Sequence, residues 1–524
     1  MVSFSRMKQR MLESLAQGAE ITKIPVPLLC SILLLALCYF ASYSVLPFSN
    51  GDITYYVIIG RGILRDHLLP YSYAFDHKPL AVYLVYAVWD QIIPLPYGKF
   101  ELLACLLMGA FVWFCRAFGP FNKGLAWLIL TVGGSVFGIL DANTETVLVA
   151  GEALFLRLLY QGNTQGKLLQ YFGAGLVFAG IVNVNYLSAV CLFLPSLFLF
   201  LAPGWFRIRH ILLAVLGLVT GLALLFAPYF VVGHGALQAY FSMQSAFLHH
   251  YGASLKARMR SVLWCAIYTV LLFPVLQCWI RVFPLTLKGE ARKTLVLLLW
   301  FLSSLPAVIL SGHPFEHYFI LCFAPAAIMA AILFEKNYVF PAYCFVPFTF
   351  FFVGGMIQDT RKNIDERLYY NRVDYAFLSK EIGTQKVLNI RGSHETFYLA
   401  DLRPFDVYLF PTHIDILFGK ENAWKRYMQD LLRRPAYVIT PYAGCARNLV
   451  EPVVCQWLAT HYTRIYSLNT RHAHPQKDQR FSLDLYKLTS PEGRDDRGNQ
   501  AHASQQDALS GNPDDSEDEW KDSK

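Results

Sequence analysis

Side chains that could perform acid–base chemistry on a charged substrate are concentrated near the start of this sequence. This stretch contains Asp52, Tyr55, Tyr56 and Arg61, followed by Asp76-His77-Lys78. A carboxylate can act as a general base. Lysine and arginine bind anions such as phosphate, and arginine does so through paired hydrogen bonds. These residue types therefore indicate a site that binds an anionic group beside a reacting group.

Three shorter segments have the same character. They are Asn143-Thr144-Glu145, the basic residues Lys256, Arg258 and Arg260, and the segment 311–318, which contains His313, His317 and Tyr318. The surrounding sequence is strongly apolar, so these segments can meet only if they lie on the same side of a membrane. Polar groups at the depth of a membrane are costly and usually functional.

Composition indicates a polytopic integral membrane protein. Of 524 residues, 55% are hydrophobic and only 16% are charged, whereas a soluble globular protein carries about 25% charged residues. The net charge of +8 comes from basic clusters scattered between apolar runs. It therefore reports on membrane topology and does not indicate a nucleic-acid partner.

Spans are predicted wherever an apolar run approaches the roughly 20 residues that cross a bilayer. There are eleven, at 25–47, 99–117, 124–140, 145–160, 169–184, 187–203, 210–231, 261–280, 294–311, 316–333 and 338–357. With residues 1–24 in the cytoplasm, every predicted cytoplasmic loop carries lysine or arginine, in agreement with the positive-inside rule. The first run is longer than the apolar part of a signal peptide, so we expect an uncleaved helix.

One further apolar segment, 80–94, would reverse every later loop if it crossed the membrane. We therefore predict a large external loop at 49–98, with interfacial helices at about 53–66 and 79–92. A similar amphipathic segment, 235–251, follows the seventh span. This topology places all the reactive segments on the external side. Cations there, such as Arg61, Lys78 and Arg258, violate the positive-inside rule and suit an anionic lipid headgroup.

The part of the chain from 358 to 490 is less apolar and predicts a small external α/β domain. Strands are expected at 387–390, 407–410, 436–440 and 481–485, with helices at 421–433 and 447–461 between them. If this region is external, Cys445 and Cys455 could form a disulfide, but the sequence gives no distance between them. Residues 491–524 are polar and acidic, and we expect them to be disordered.

Several of these motifs, taken in order, resemble the GT-C membrane glycosyltransferases. Asp52 follows the first span, and Phe75-Asp76-His77-Lys78-Pro79 ends the Tyr-rich first loop. Asn143-Thr144-Glu145 and His317-Tyr318-Phe319, the latter followed by Pro325, resemble later motifs of the same family. The similarity extends over about 25–357 and is to the bacterial branch related to protein O-mannosyltransferases and the lipid A aminoarabinose transferase.

The resemblance implies transfer of a sugar from a polyprenyl-phosphate-linked donor to an acceptor hydroxyl at the periplasmic face of the bacterial inner membrane. Asp52 would be the catalytic base, Lys78 would bind the lipid phosphate, and Glu145 would position the acceptor, the sugar or a metal. Arg61, Lys256, Arg258 and Arg260 are further candidates for the donor phosphate. Candidates for the substrate pocket are Tyr55, Tyr56, His77, Asn143, His313, His317 and Tyr318. The acceptor would be a glycan, a lipid or a protein.

Two positions depart from the family pattern. Many relatives have Lys-Pro-Pro where this chain has Lys78-Pro79-Leu80, and many carry a lysine where this chain has Asn183-Val184-Asn185. The second departure puts the usual donor or acceptor preference in doubt. Relatives differ in their use of metal, so no cofactor is implied, although a divalent metal is possible.

Other interpretations stay open for single residues and for the whole chain. Asp52 and Glu145 could simply cap helices, and Lys78 could extend towards the membrane interface. The chain could also be a transporter or flippase of a lipid-linked saccharide, or a non-enzymatic scaffold. A transporter would tend to show inverted repeats and charges at the midplane of the bilayer, and neither is evident in the sequence.

Overall fold

The computed structural model describes residues 37, 40–42, 44, 46–48, 50–201, 207–250, 255–286, 291–313, 315–335, 353–364, 367, 373–468 and 483–489. The predicted cytoplasmic segment 1–24, most of the predicted spans at 25–47 and 338–357, and the predicted disordered tail 491–524 lie outside these residues. Helices dominate up to residue 364, and a sheet follows.

The helices of the first part follow one another with short connections. They are α1 (Gly51–Asp66), α2 (Leu80–Ile92), α3 (Lys99–Cys115), α4 (Lys123–Gly133), α5 (Thr144–Gln165), α6 (Leu169–Val182), α7 (Leu187–Cys191), α8 (Phe193–Leu201), α9 (Ile208–Val232), α10 (His234–His250), α11 (Leu255–Thr286), α12 (Ala291–Leu310) and α13 (Ile320–Glu335). Helices α1 and α2 coincide closely with the two helices predicted in the first loop, and α10 with the predicted amphipathic segment.

Among the described residues, four helical stretches are long and apolar enough to cross a membrane. They are Lys99–Phe118, Ile208–Val232, Arg292–Leu310 and Glu316–Leu333. Other predicted spans are broken into shorter pieces. The run 124–140 changes from α4 to 3-10 turns at Gly134–Phe137 and Ile139–Asp141, and the run 187–203 divides into α7 and α8 at Leu192. The number of eleven spans therefore stays a prediction.

Helices α1 and α2 form the framework of the first loop. The side chain of Asn50 caps α1 by accepting a hydrogen bond from the backbone N–H of Asp52 at 2.9 Å. Where the helices cross, a Cβ atom at Gly60 would lie 2.4 Å from the carbonyl oxygen of Tyr83. Only glycine permits this approach, so the crossing point of the two helices depends on Gly60.

The C-terminal region, residues 373–489, contains a mixed five-stranded sheet. Its strands are β1 (Lys386–Asn389), β2 (Arg403–Pro404), β3 (Tyr437–Pro441), β4 (Tyr462–Leu468) and β5 (Leu483–Leu488), in the order β2-β1-β3-β5-β4. Strand β1 is parallel to β2 and β3, whereas β5 is antiparallel to β3 and β4. The helices are α14 (Tyr375–Ile382), α15 (Glu395–Leu399), α16 (Pro411–Leu432) and α17 (Pro452–His461).

Three of the four predicted strands overlap β1, β3 and β5. The fourth, 407–410, is not a strand, because the chain pairs with β1 only at Arg403–Pro404 before it enters α16. Cys445 and Cys455 are joined by a disulfide with a Cα–Cα distance of 5.5 Å. The bond closes the turn that leads into α17.

Helix α1 also packs against the C-terminal region, in part through charged side chains. Arg61 binds Asp401 at 3.2 Å, and Arg65 binds the same carboxylate at 2.9 Å. Asp66, at the end of α1, binds Arg403 at 2.8 Å. The first loop is therefore fixed between the apolar helices and the C-terminal region.

Candidate functional site

Asp52 lies in the first turn of α1, and its side chain is exposed. Tyr56 lies one helical turn after Asp52 and is buried. The Asp52 carboxylate forms no ion pair with a residue that the structure describes. It is therefore accessible to a substrate, as a general base must be.

Glu145 lies at the start of α5 and is completely buried. Its Oε1 atom accepts hydrogen bonds from the hydroxyl of Thr144 at 3.0 Å and from the side-chain amide of Asn185 at 3.2 Å. Its Oε2 atom lies 3.9 Å from Nε2 of His317. Asn143 caps α5 by accepting from the backbone N–H of Thr144 at 2.7 Å. The predicted motifs Asn143-Thr144-Glu145 and His317-Tyr318-Phe319 are therefore neighbours, with His317 close to Glu145.

Two buried tyrosines, Tyr56 and Tyr86, interact electrostatically with both Asp52 and Glu145. The rings of Tyr56 and Tyr86 lie 5.4 Å apart. Burial raises the pKa of both hydroxyl groups, and the negative charges of Asp52 and Glu145 raise each of them further. Tyr318 also interacts electrostatically with both carboxylates. Asp52, Glu145 and Tyr318 thus share electrostatic neighbours, and we call these three residues the carboxylate site.

Lys78 is also buried, with 9% of its surface exposed. Its backbone carbonyl accepts hydrogen bonds from the hydroxyl of Tyr83 at 2.7 Å and from the amide of Gln244 at 3.2 Å. Within the described part of the chain, no carboxylate forms an ion pair with its ammonium group. A buried charge that is not directly paired is unfavourable, so this position favours binding of an anion, although Asp76 also interacts electrostatically with Lys78.

A second polar cluster adjoins Lys78 and consists of Asp76, His77 and His413. His77 Nδ1 and His413 Nε2 lie 2.9 and 3.7 Å from Oδ1 of Asp76. Burial alone would raise the pKa of Asp76, but His77, His413 and Lys78 lower it well below its usual range. Burial lowers the pKa of His413 to about 4, so its imidazole is neutral at neutral pH.

This cluster could hold a divalent cation. One ligand atom from each of the three residues lies within 4.8 Å of the others. Two imidazoles and a carboxylate form a donor set that suits zinc. A cation there would link the loop before Lys78 to the first turn of α16.

Other predicted site residues lie away from the carboxylate site. Arg61 follows Asp52 by nine residues, which places it about 180° around α1. There it donates to Asp90 at 2.8 and 3.0 Å and to the carbonyl oxygen of Tyr398 at 3.0 Å. Asp90 is also contacted by Lys99. In this structure, Arg61 is therefore engaged in joining α1 to α2 and the C-terminal region.

The remaining candidates are distributed around these clusters. Tyr55 faces the C-terminal region, where its ring contacts His394 and His413. His313 stacks on Phe315, which in turn stacks on His317. The predicted phosphate ligands Lys256, Arg258 and Arg260 are exposed in the first turns of α11. The structure gives no contact between these three cations and Lys78 or Asp52.

Sequence reasoning missed several residues that complete these clusters. Tyr86 is part of an apolar helix, and no local signal distinguishes its hydroxyl from that of an ordinary core tyrosine. Asn185 could have been found, because it belongs to the segment that departs from the family pattern. His413 lies 336 residues after His77 in the chain, so only the fold brings them together.

Replacement of Arg61 should weaken the structure more than it weakens binding of a phosphate. In Arg61→Met, the side chain of Asp90, which is 6% exposed, loses two hydrogen bonds and retains its contacts with Lys99 and Tyr398. We expect the free energy of unfolding to fall by about 1–3 kcal/mol, measured by denaturation in detergent. Arg116→Met, which removes an exposed arginine from the end of α3, is the control. Unchanged stability with lost binding of polyprenyl phosphate would instead make Arg61 a donor ligand.

Addition of zinc should stabilise the protein through the Asp76-His77-His413 cluster. A ligand that binds only the folded state raises the unfolding temperature. We expect ZnCl₂ to raise it after treatment with a chelator, and His413→Gln to remove this increase. Magnesium is the control because it prefers oxygen ligands. Equal responses of wild type and His413→Gln to zinc would exclude this cluster.

The fold is shared with a protein of known crystal structure. No family model and no curated protein sequence matches this chain. The crystal structure of ArnT from Cupriavidus metallidurans bound to undecaprenyl phosphate matches 88% of this chain and 98% of its own, with 12% identity and a TM-score of 0.52. Its apo state matches over the same shares with 13% identity and the same TM-score. The predicted resemblance to the aminoarabinose transferase is therefore confirmed at the level of fold.

Proposed function

We propose that this chain is a glycosyltransferase that moves a sugar from a polyprenyl-phosphate-linked donor to an acceptor hydroxyl. The observation that carries the proposal is the burial of Lys78, without an ion pair among the described residues, in the same loop as the exposed carboxylate of Asp52. Such a cation suits the phosphate of a donor lipid. The undecaprenyl phosphate bound to the ArnT structure with this fold supports the same class of donor.

The transfer is a displacement at the anomeric carbon of the donor sugar. Asp52 takes the proton of the acceptor hydroxyl while the oxygen of that hydroxyl forms a bond to the anomeric carbon. The bond between this carbon and the phosphate oxygen breaks, and its electron pair stays on the phosphate. Lys78 stabilises the polyprenyl phosphate that leaves. Glu145, held by Asn185 and near His317, orients the sugar or the acceptor.

The side of the membrane is also part of the proposal. We place the carboxylate site and the C-terminal region in the periplasm, at the outer face of a bacterial inner membrane. The disulfide between Cys445 and Cys455 supports this, because disulfides persist in oxidising compartments. Arg61 and Lys78 follow the first predicted span on the external side, where lipid headgroups would face them.

Loss of the Asp52 carboxylate should abolish transfer without unfolding the protein. Purified protein in lipid nanodiscs, given a radiolabelled polyprenyl-phosphate sugar and an envelope glycan fraction, should release polyprenyl phosphate. We expect Asp52→Asn to lower the rate by about 100-fold or more, as for loss of a general base. Glu451→Gln, which changes an exposed carboxylate that also lies at the start of a helix, should leave the rate unchanged. Full activity of Asp52→Asn would exclude the mechanism.

The same preparation separates the competing functions. A transporter in proteoliposomes would move the labelled donor lipid between leaflets without breaking its sugar–phosphate bond. A scaffold would do neither. Movement of intact donor by both wild type and Asp52→Asn, with no release of polyprenyl phosphate, would favour the transporter.

A further inference from the structure

Two buried side chains of the C-terminal region reach the first turn of α1, directly beside Asp52. Nε2 of His394 lies 2.9 Å from the carbonyl oxygen of Gly51. A Cβ atom added to Gly51 would lie 3.0 Å from Oε1 of Glu395 and 3.6 Å from the ring of His394. Both side chains are buried, with 7% and 4% of their surfaces exposed. The start of α1 is therefore in close contact with a segment more than 340 residues away in the sequence.

The donor and the acceptor of the hydrogen bond between His394 and Gly51 can be assigned. A carbonyl oxygen can only accept, so Nε2 of His394 carries the hydrogen and donates. The imidazole is held by edge-to-face contacts with Tyr55 and Phe410, at centroid distances of 5.4 and 4.8 Å. The hydroxyl of Ser393 donates to Glu395 and fixes the neighbouring side chain. The donor on His394 is thus held in one orientation.

The Gly51 carbonyl belongs to the peptide bond that leads into Asp52. The N–H of the same peptide donates to Asn50 at 2.9 Å, and the carbonyl also accepts from the hydroxyl of Thr54 at 2.6 Å. Because a peptide unit is planar, hydrogen bonds at both of its ends fix the Cα atom of Asp52. The exposed carboxylate of Asp52 has no ion pair within the described chain, so its position depends on this backbone.

We propose that His394 is a positioning residue that holds the base Asp52 in place from the C-terminal region. This inference rests on the proposed function, because it assigns His394 a task in the same transfer. His394 acts through the Gly51 peptide and does not touch the substrate. A misplacement of about 1 Å at a reacting group can cost on the order of 100-fold in rate, so loss of this hydrogen bond should be visible in turnover.

Two variants separate the hydrogen bond from the packing of the ring. His394→Phe keeps an aromatic ring against Tyr55 and Phe410 but has no donor. His394→Gln keeps an N–H near the position of Nε2. We expect His394→Phe to lower kcat by about 10- to 100-fold with little change in KM for the donor lipid, and His394→Gln to restore most of kcat. His461→Phe is the control, since His461 also contacts a backbone carbonyl, that of Trp457 at 3.0 Å, but within its own helix.

A double variant tests whether His394 acts through Asp52. In the Asp52→Asn background, His394→Phe should cause little further loss, because residues that act as a unit are not additive. An equal loss in both backgrounds would overturn the proposal and leave His394 with a general structural role. Unchanged kcat of His394→Phe would overturn it as well.

Hydrogen–deuterium exchange tests the same proposal without any turnover. Peptides that cover residues 50–56 should exchange faster in His394→Phe than in wild type, and at the wild-type rate in His394→Gln. Unchanged exchange in His394→Phe would overturn the positioning role. A wild-type protein that releases no polyprenyl phosphate, but shows faster exchange in His394→Phe, would contradict the proposed function and leave the contact in place.

Discussion

The packing of α1 between two parts of the chain is the constraint on which the site depends. Nine of its sixteen residues are buried, among them every residue from Ile53 to Gly60. A helix that only rested on a membrane surface would bury a single apolar face, whereas this one is covered by α2 on one side and by the C-terminal region on another. The close approach at Gly60 and the hydrogen bond from His394 to Gly51 fix its position in the second half of the helix and at its first residue.

The ionic contacts divide the charged residues of the first loop into two groups. Arg61, Arg65 and Asp66 have partners on α2 or in the C-terminal region and hold α1 in place. Asp52 and Lys78 have no ion-pair partner within the described residues, although both lie in the same loop. Removing water from a charge is expensive, so the burial of Lys78 favours an anionic ligand.

Local patterns in the sequence predicted α1, α2 and α10 well, because their periodicity and boundaries are determined by neighbouring residues. The predicted topology places Glu145 and His317 on the same side of the membrane. In the structure, Oε2 of Glu145 lies 3.9 Å from Nε2 of His317. The role of Arg61 could not be predicted in this way, since its partner Asp90 lies on another helix. His394 and His413 reach the first loop only through the docking of the C-terminal region, and no sequence pattern encodes this contact. The apolar run after α4 breaks near Gly138, whose φ of +64° is a conformation that favours glycine.

The central claim is that Lys78 receives the phosphate of a lipid donor beside Asp52. The most direct measurement is an electron cryomicroscopy structure of the protein in a lipid nanodisc with undecaprenyl phosphate. We expect a phosphate oxygen about 2.8 Å from Nζ of Lys78, the usual length of a charge-assisted hydrogen bond, and another terminal oxygen of the phosphate, the one that would carry the sugar, facing Asp52. A phosphate held by Arg258 and Arg260, or by Arg61, with Lys78 away from it would contradict the account.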